Sequence, residues 1–242
     1  MKRAYHNWYS QSIGRQMELL VFGHTGTPVL FFPTRSARFF DYENWGMIGT
    51  LQDKIDSGLL QIYCVDSIDQ EAFYNSQTSP EEKINKHLQY ERYILEEVIP
   101  FIYQQNTDNN IISAGCSMGA FHAVNIAFKH PRLFKKIVAM SGRYDLTQQM
   151  GDFQDLLEGY RNETIYFNSP NQYLSNISDP NLLSELRKLS ITIAVGEHDA
   201  FLENNRQLDR ILWDKEIQHE FYIWGGEAHR SKYWKQMLAI YL

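Results

Sequence analysis

The chain has 242 residues, 43% of them hydrophobic and 21% charged, with 14 glycines and 7 prolines. That composition belongs to a folded globular protein and excludes a disordered, collagenous or disulfide-stapled chain. A net charge of −6, from 23 basic against 29 acidic residues, without a basic run, argues against a nucleic-acid partner.

The N-terminal Met1-Lys2-Arg3-Ala4-Tyr5-His6-Asn7-Trp8 turns polar where a secretion signal would be apolar. No apolar stretch approaches the roughly 18 residues of a membrane span, so no membrane partner is expected. Cys64 and Cys116 suit a reducing compartment, and their spacing suggests no metal site. The expectation is a cytoplasmic protein with a single domain over 1–242.

In chain order, Met17-Glu18-Leu19-Leu20-Val21-Phe22 reads as a strand closed by Gly23, and Gly26-Thr27-Pro28 as a turn. Val29-Leu30-Phe31-Phe32 is a continuous apolar run, as in a strand buried on both faces. A helix is expected over about 42–57 and a strand over 59–65. The next helix has a legible start: Ser79 as N-cap, Pro80 at the first helical position and Glu82 completing a capping box. Ile84, Leu88, Leu95, Val98 and Ile102 then recur at near-helical spacing, and Pro100 should bend or end this helix.

Asn110-Ile111-Ile112-Ser113-Ala114 is a further buried strand running into Gly115, and 117–130 is helical until Pro131. Strands follow at 137–140, 191–195 and 219–224, with a closing helix over 232–242. Alternating strands and helices predict an α/β protein with a mostly parallel sheet covered on both faces. The alternation lapses over about 143–188, which is rich in Asn, Gln and Ser and too poor in apolar residues for its own core. It reads as a cap-like excursion above the sheet.

Gly115-Cys116-Ser117-Met118-Gly119 matches G-x-S-x-G between a buried strand and a helix, the context of a nucleophile elbow. Such a turn strains the Ser117 backbone, leaves no room for side chains at 115 and 119, and lifts the hydroxyl above the sheet edge. It also frees the Met118 N–H at a helix N-terminus for a developing oxyanion. The plainer alternative is that Ser117 only caps a helix. A serine nucleophile needs a base and an orienting carboxylate. His229 follows the 219–224 strand in Gly225-Gly226-Glu227-Ala228-His229, and Asp199 follows the 191–195 strand in Gly196-Glu197-His198-Asp199. Both fall at the strand ends where open α/β sheets gather catalytic groups. The order Ser117, Asp199, His229 is that of an α/β-hydrolase triad.

With those segments, the chain resembles the putative esterase (esterase D-like) family of α/β-hydrolases, which includes S-formylglutathione hydrolases, feruloyl esterases and mycolyltransferases. Leu95-Glu96-Glu97-Val98-Ile99-Pro100-Phe101-Ile102, Lys129-His130-Pro131-Arg132-Leu133-Phe134 and Met140-Ser141-Gly142 extend the resemblance over nearly the whole chain. It implies a three-layer α/β/α sandwich with about eight strands. The implied activity is a serine esterase acting on a small-molecule carboxylic ester of small to medium acyl groups, with no metal or organic cofactor. Ser117 is then nucleophile, Asp199 the acid and His229 the general base.

Two departures stand out. Where this superfamily usually has His-Gly, the chain has Phe32-Pro33-Thr34-Arg35-Ser36. Pro33 has no N–H, so the second oxyanion donor is assigned to Arg35, with Thr34 as alternative. Glu227-Ala228 before His229 is the other departure.

Asp145, after the 137–140 strand, is the rival acid, with Asp199 preferred because Gly-x-x-Asp matches the family. His198 is read as a loop residue pointing elsewhere, and His122 and His130 as structural or solvent-facing. Cys116 should face the interior and be inert. Arg35, Arg38, Phe39 and Phe40 are expected to border the cleft, whereas the aromatics of Tyr5-His6-Asn7-Trp8-Tyr9 are read as packing. Acyl transfer to an alcohol or sugar, and an inactive binding module, are the competing functions. Oligomeric state is unassigned.

Overall fold

The computed structural model describes every residue except Glu227. Eight strands form one sheet: β1 (Arg3–Ser10), β2 (Arg15–Phe22), β3 (Thr27–Phe32), β4 (Leu60–Val65), β5 (Ile111–Cys116), β6 (Phe134–Met140), β7 (Ser190–Gly196) and β8 (Glu220–Trp224). Their spatial order is β1-β2-β4-β3-β5-β6-β7-β8. The β1–β2 and β2–β4 pairings are antiparallel, and every other neighbouring pair is parallel.

Side-chain alternation divides the core into two layers. Leu19, Leu30, Phe32, Tyr63 and Val65 face one cluster, while Leu20, Val29, Phe31, Ile62 and Cys64 face the other. Because both faces are buried, these strands carry uninterrupted apolar runs. The first face is covered by α4 (Pro80–Tyr93), α5 (Ile99–Gln105), α6 (Met118–Lys129), α8 (Pro170–Asn176), α9 (Pro180–Leu186) and α10 (Leu202–Asp214). The second is covered by α1 (Asp41–Asn44), α2 (Met47–Thr50), α3 (Gln52–Asp56) and α11 (Ser231–Tyr241). Between β6 and β7 the chain also forms α7 (Glu163–Tyr166). Leu146, Leu156, Leu157 and Ile165 of that excursion pack on Phe73, Ile84, Met118 and Phe121. Among the described residues no helix is long and apolar enough to cross a membrane.

Local chemistry explains the departures from the expected elements. The helix expected over 42–57 is three short ones, because Gly46 takes φ 69° and ends the first turn. Ser79 caps α4 as expected, its hydroxyl accepting the Glu82 N–H at 3.2 Å. Pro100 does not end the helical run. A π-helical stretch over Ile94–Val98 precedes it, and Pro100 sits in the first turn of α5, where a missing N–H is tolerated. The N-terminal aromatics belong to β1, an edge strand that is alternately exposed and half-covered. Trp8 packs there on Tyr93 and Phe101.

Candidate active site

Parallel strands end at one edge of the sheet, so the residues following β5, β7 and β8 converge there. Ser117 follows β5 with φ 55° and ψ −118°, a left-handed backbone that a non-glycine residue rarely adopts. The tightness of this turn explains its glycines. A Cβ at Gly115 would lie 2.2 Å from the Gly119 backbone, and one at Gly119 would lie 2.2 Å from the Phe32 carbonyl oxygen. The second contact brings the β3 exit against the start of α6. Tyr42 fastens the same junction, donating its hydroxyl to the Phe32 carbonyl at 2.7 Å and accepting the Cys116 N–H at 3.2 Å.

His229 Nε2 lies 2.9 Å from Ser117 Oγ, and Nδ1 lies 3.0 and 3.1 Å from the two Asp199 oxygens. A carboxylate only accepts, so the Nδ1–H donates to Asp199 and Nε2 is left to accept the serine proton. Gly196 makes the approach possible: a Cβ there would lie 2.6 Å from the Ala228 nitrogen. Asp199 is almost fully enclosed, whereas His229 keeps a quarter of its side chain open. Burial alone would raise the Asp199 pKa. The hydrogen bond and charge of His229, the Phe201 N–H and the Ser141 hydroxyl outweigh it and hold the carboxyl below its usual range.

The His229 ring is walled by Phe201, Phe153 and Trp234, with ring centroids at 5.1, 6.1 and 5.3 Å. Ser141, directly after β6, also has a left-handed φ of 54°. It is fully buried, accepts the Trp234 indole N–H at 3.2 Å, and its hydroxyl helps to lower the Asp199 pKa. Ser141 and Trp234 escaped the sequence reading. The only local signal was Met140-Ser141-Gly142, a small polar residue at a strand end.

The other candidates separate cleanly. Asp145 binds Thr147 and Gln172 and has no bond to His229, so the structure does not bring the rival acid to the site. His198 is exposed beside Glu197. His122 is buried against Asp69 at 3.0 Å, and His130 faces Glu91 at 3.6 Å. Cys116 is fully buried, and burial pushes its thiol pKa up. Met118 opens α6, where the first N–H groups have no carbonyl one turn back. Thr34 is buried and Arg35 exposed on the loop beside Gly119. Glu227 lies outside the described residues.

A cleft of about 420 Å³ is lined by Tyr74 and Phe153, which neighbour Met118 and His229. Arg35 and Arg143 also line it. Tyr74 touches Met118 through a 3.7 Å hydroxyl–sulfur contact, and Phe153 touches the His229 ring. Of the four expected cleft residues only Arg35 lines it. Arg38 turns away to Asp66 and Glu18, and Phe39 packs against Tyr5 and Phe40. Arg38 is drawn off because the Asp66 carboxylate is fully enclosed and needs a cation.

The eight-stranded, mostly parallel sheet with this serine turn and strand-end histidine defines an α/β-hydrolase fold. The model of the putative esterase family matches residues 10–240, so the chain belongs to that family and is a carboxylic ester hydrolase. Solved structures agree in fold. A ferulic acid esterase superposes with TM-score 0.77 at 17% identity, covering 99% of this chain and 95% of its own. FphF, a fluorophosphonate-binding serine hydrolase of Staphylococcus aureus, gives 0.76 at 17% identity, covering 99% and 96%. An S-formylglutathione hydrolase from Agrobacterium tumefaciens gives 0.74 at 15% identity, covering 98% and 92%. No curated protein sequence matches the chain.

Proposed function

We propose that the chain is a serine esterase that acts through an acyl-serine intermediate on esters of small to medium acyl groups. The observation that carries this reading is the hydrogen-bonded line Ser117–His229–Asp199 at the strand ends. Ser117 Oγ attacks the ester carbonyl as His229 Nε2 takes its proton, and Asp199 stabilises the imidazolium. The backbone N–H groups of Met118 and Arg35 receive the oxyanion, a contribution of roughly 3–4 kcal/mol for a single donor. Collapse expels the alcohol, which takes its proton from His229. Water, deprotonated by His229, then releases the acid.

The whole chain acts as one domain, with 143–188 as a cap that shapes the acyl pocket. Two free buried cysteines accord with a reducing, cytoplasmic setting. The test is hydrolysis of p-nitrophenyl acetate, butyrate, octanoate and laurate by the wild type and by Ser117→Ala. Wild-type turnover with a preference for the shorter chains, and a loss of about a thousandfold or more in the variant, is the expected result. Activity surviving in Ser117→Ala would overturn the nucleophile assignment. No turnover by the wild type would favour an inactive binding module, and an ester formed from an added alcohol would favour acyl transfer.

A further inference from the structure

The cleft beside Ser117 contains a charge that its surroundings do not neutralise. Arg143 is 3% exposed, yet no carboxylate among the described residues lies within ion-pair distance of it. Its guanidinium is held by carbonyl oxygens instead. Nε donates to the Asp145 carbonyl at 3.2 Å, and Nη2 donates to the Gln148 and Gln154 carbonyls at 2.6 and 2.7 Å. Nη1 has no hydrogen-bond partner among the described residues and is not sealed from solvent. Buried arginines are ordinarily paired with an acid, because carbonyl dipoles offset only part of a unit charge.

A second cation faces the same space. The Arg35 guanidinium lies 4.4 Å from the centre of the Tyr74 ring and is in no ion pair among the described residues. A planar group stacked on an aromatic face keeps its N–H edges free. The acids of the cleft wall are mostly spoken for. Glu158 is paired with Lys83 and Asp155 with Arg161 at 2.8 Å. Among the described acids that line the cleft, only the exposed Asp152 remains to set against two open arginines.

We propose that this cleft is a subsite for a carboxylate, so that the preferred ester carries an anionic group a few bonds from the scissile carbonyl, held between Arg35 and Arg143. The inference rests on Ser117 marking the position of the ester. Tyr74 on Met118 and Phe153 on His229 place the cleft one side chain away from the reacting atoms.

The probes are mono-p-nitrophenyl succinate, glutarate and adipate, each compared with the isostere whose carboxylate is replaced by a carboxamide. The readout is the ratio of kcat/KM within each pair, so a loss common to both esters cancels. The wild type should favour the acid by about tenfold or more at one of the three lengths. Arg35→Met and Arg143→Met should each bring that ratio close to one, and so should about 0.5 M salt. Binding of the same pair to Ser117→Ala gives the answer without turnover, so failure of the serine mechanism and failure of the subsite are read apart. A ratio at or below one at every length, together with equal binding of acid and amide, would overturn the proposal. So would a preference that both substitutions leave unchanged. If Arg143→Met does not fold, Arg35→Met and the salt series decide the matter.

Discussion

At the scale of single residues, the site depends on two serines in left-handed backbone, each at the end of a neighbouring strand. Ser117 presents its hydroxyl to His229, whereas Ser141 accepts from Trp234 and its hydroxyl helps to hold the Asp199 carboxyl low. Removing the Ser141 hydroxyl takes away a dipole that favours the ionised Asp199, and a donor to a charged group is worth about 1.5–3 kcal/mol. Ser141→Ala should therefore lower kcat by about tenfold or more. Ser141→Gly separates the hydroxyl from the backbone strain, since glycine accepts φ 54° freely. It should be as slow as Ser141→Ala but thermally more stable, as kinetics and a melting curve on both variants would show. That Ser117, Asp199 and His229 meet could be read from sequence because parallel topology carries three strand ends to one edge. Ser141 could not, because its partners Asp199 and Trp234 lie far along the chain and its neighbours record neither contact.

At the scale of elements, α4 and α6 are joined by a buried polar cluster. His87 Nε2–H donates to Asn168 Oδ1 at 3.2 Å, an oxygen that also accepts from Asn125 at 3.1 Å and Lys129 at 3.0 Å. His87 Nδ1 is buried without a partner. Burial first, then the nearby His122 and Lys129, lower the His87 pKa to about 3, against a smaller opposing pull from Glu91 and Asp69. A base with a lowered folded pKa is neutral in both states above the unfolded value of about 6.5. Below that pH the unfolded chain takes up a proton that the folded one refuses, so stability falls as pH drops from 6.5 towards 3, at a limiting slope of about 1.4 kcal/mol per unit. Urea midpoints at pH 7, 5 and 4 should decline, and His87→Gln should flatten that decline even if it is less stable at pH 7. None of this was visible in the sequence, where His87 sits among helical residues with no sign of what it faces. Strands were legible where both faces are buried, as in Val29-Leu30-Phe31-Phe32. β1 was not, because an edge strand covered on one face places Tyr5, Asn7 and Tyr9 outward and His6 and Trp8 inward, an alternation without a clean polar–apolar contrast.

At the scale of the whole molecule, His229, the proposed base, is held by the last strand and the last helix, and the sheet is open at β8. That strand is largely exposed, with Tyr222 and Ile223 facing solvent, and β7 is its only partner in the sheet. Tyr241 in the final turn of α11 binds this edge to the body. Its ring stacks on Tyr222 with centroids 5.0 Å apart, its hydroxyl accepts the Trp224 indole N–H at 2.9 Å, and its carbonyl accepts the Lys136 ammonium. His229 lies on the connection between β8 and α11, so loosening either end should misplace it against Ser117. Tyr241→Ala removes a ring that is 9% exposed and should cost about 3 kcal/mol. For a chain of this size that corresponds to a melting temperature lower by about 6–12 °C. Because the anchor reaches His229 only through β8 and α11, kcat should fall with stability, whereas Tyr241→Phe keeps the stacking and loses only the hydroxyl contact. Melting curves and ester turnover for the two variants check this. Wild-type activity in a folded but less stable Tyr241→Ala would show that His229 is held by Phe201, Trp234 and Asp199 alone.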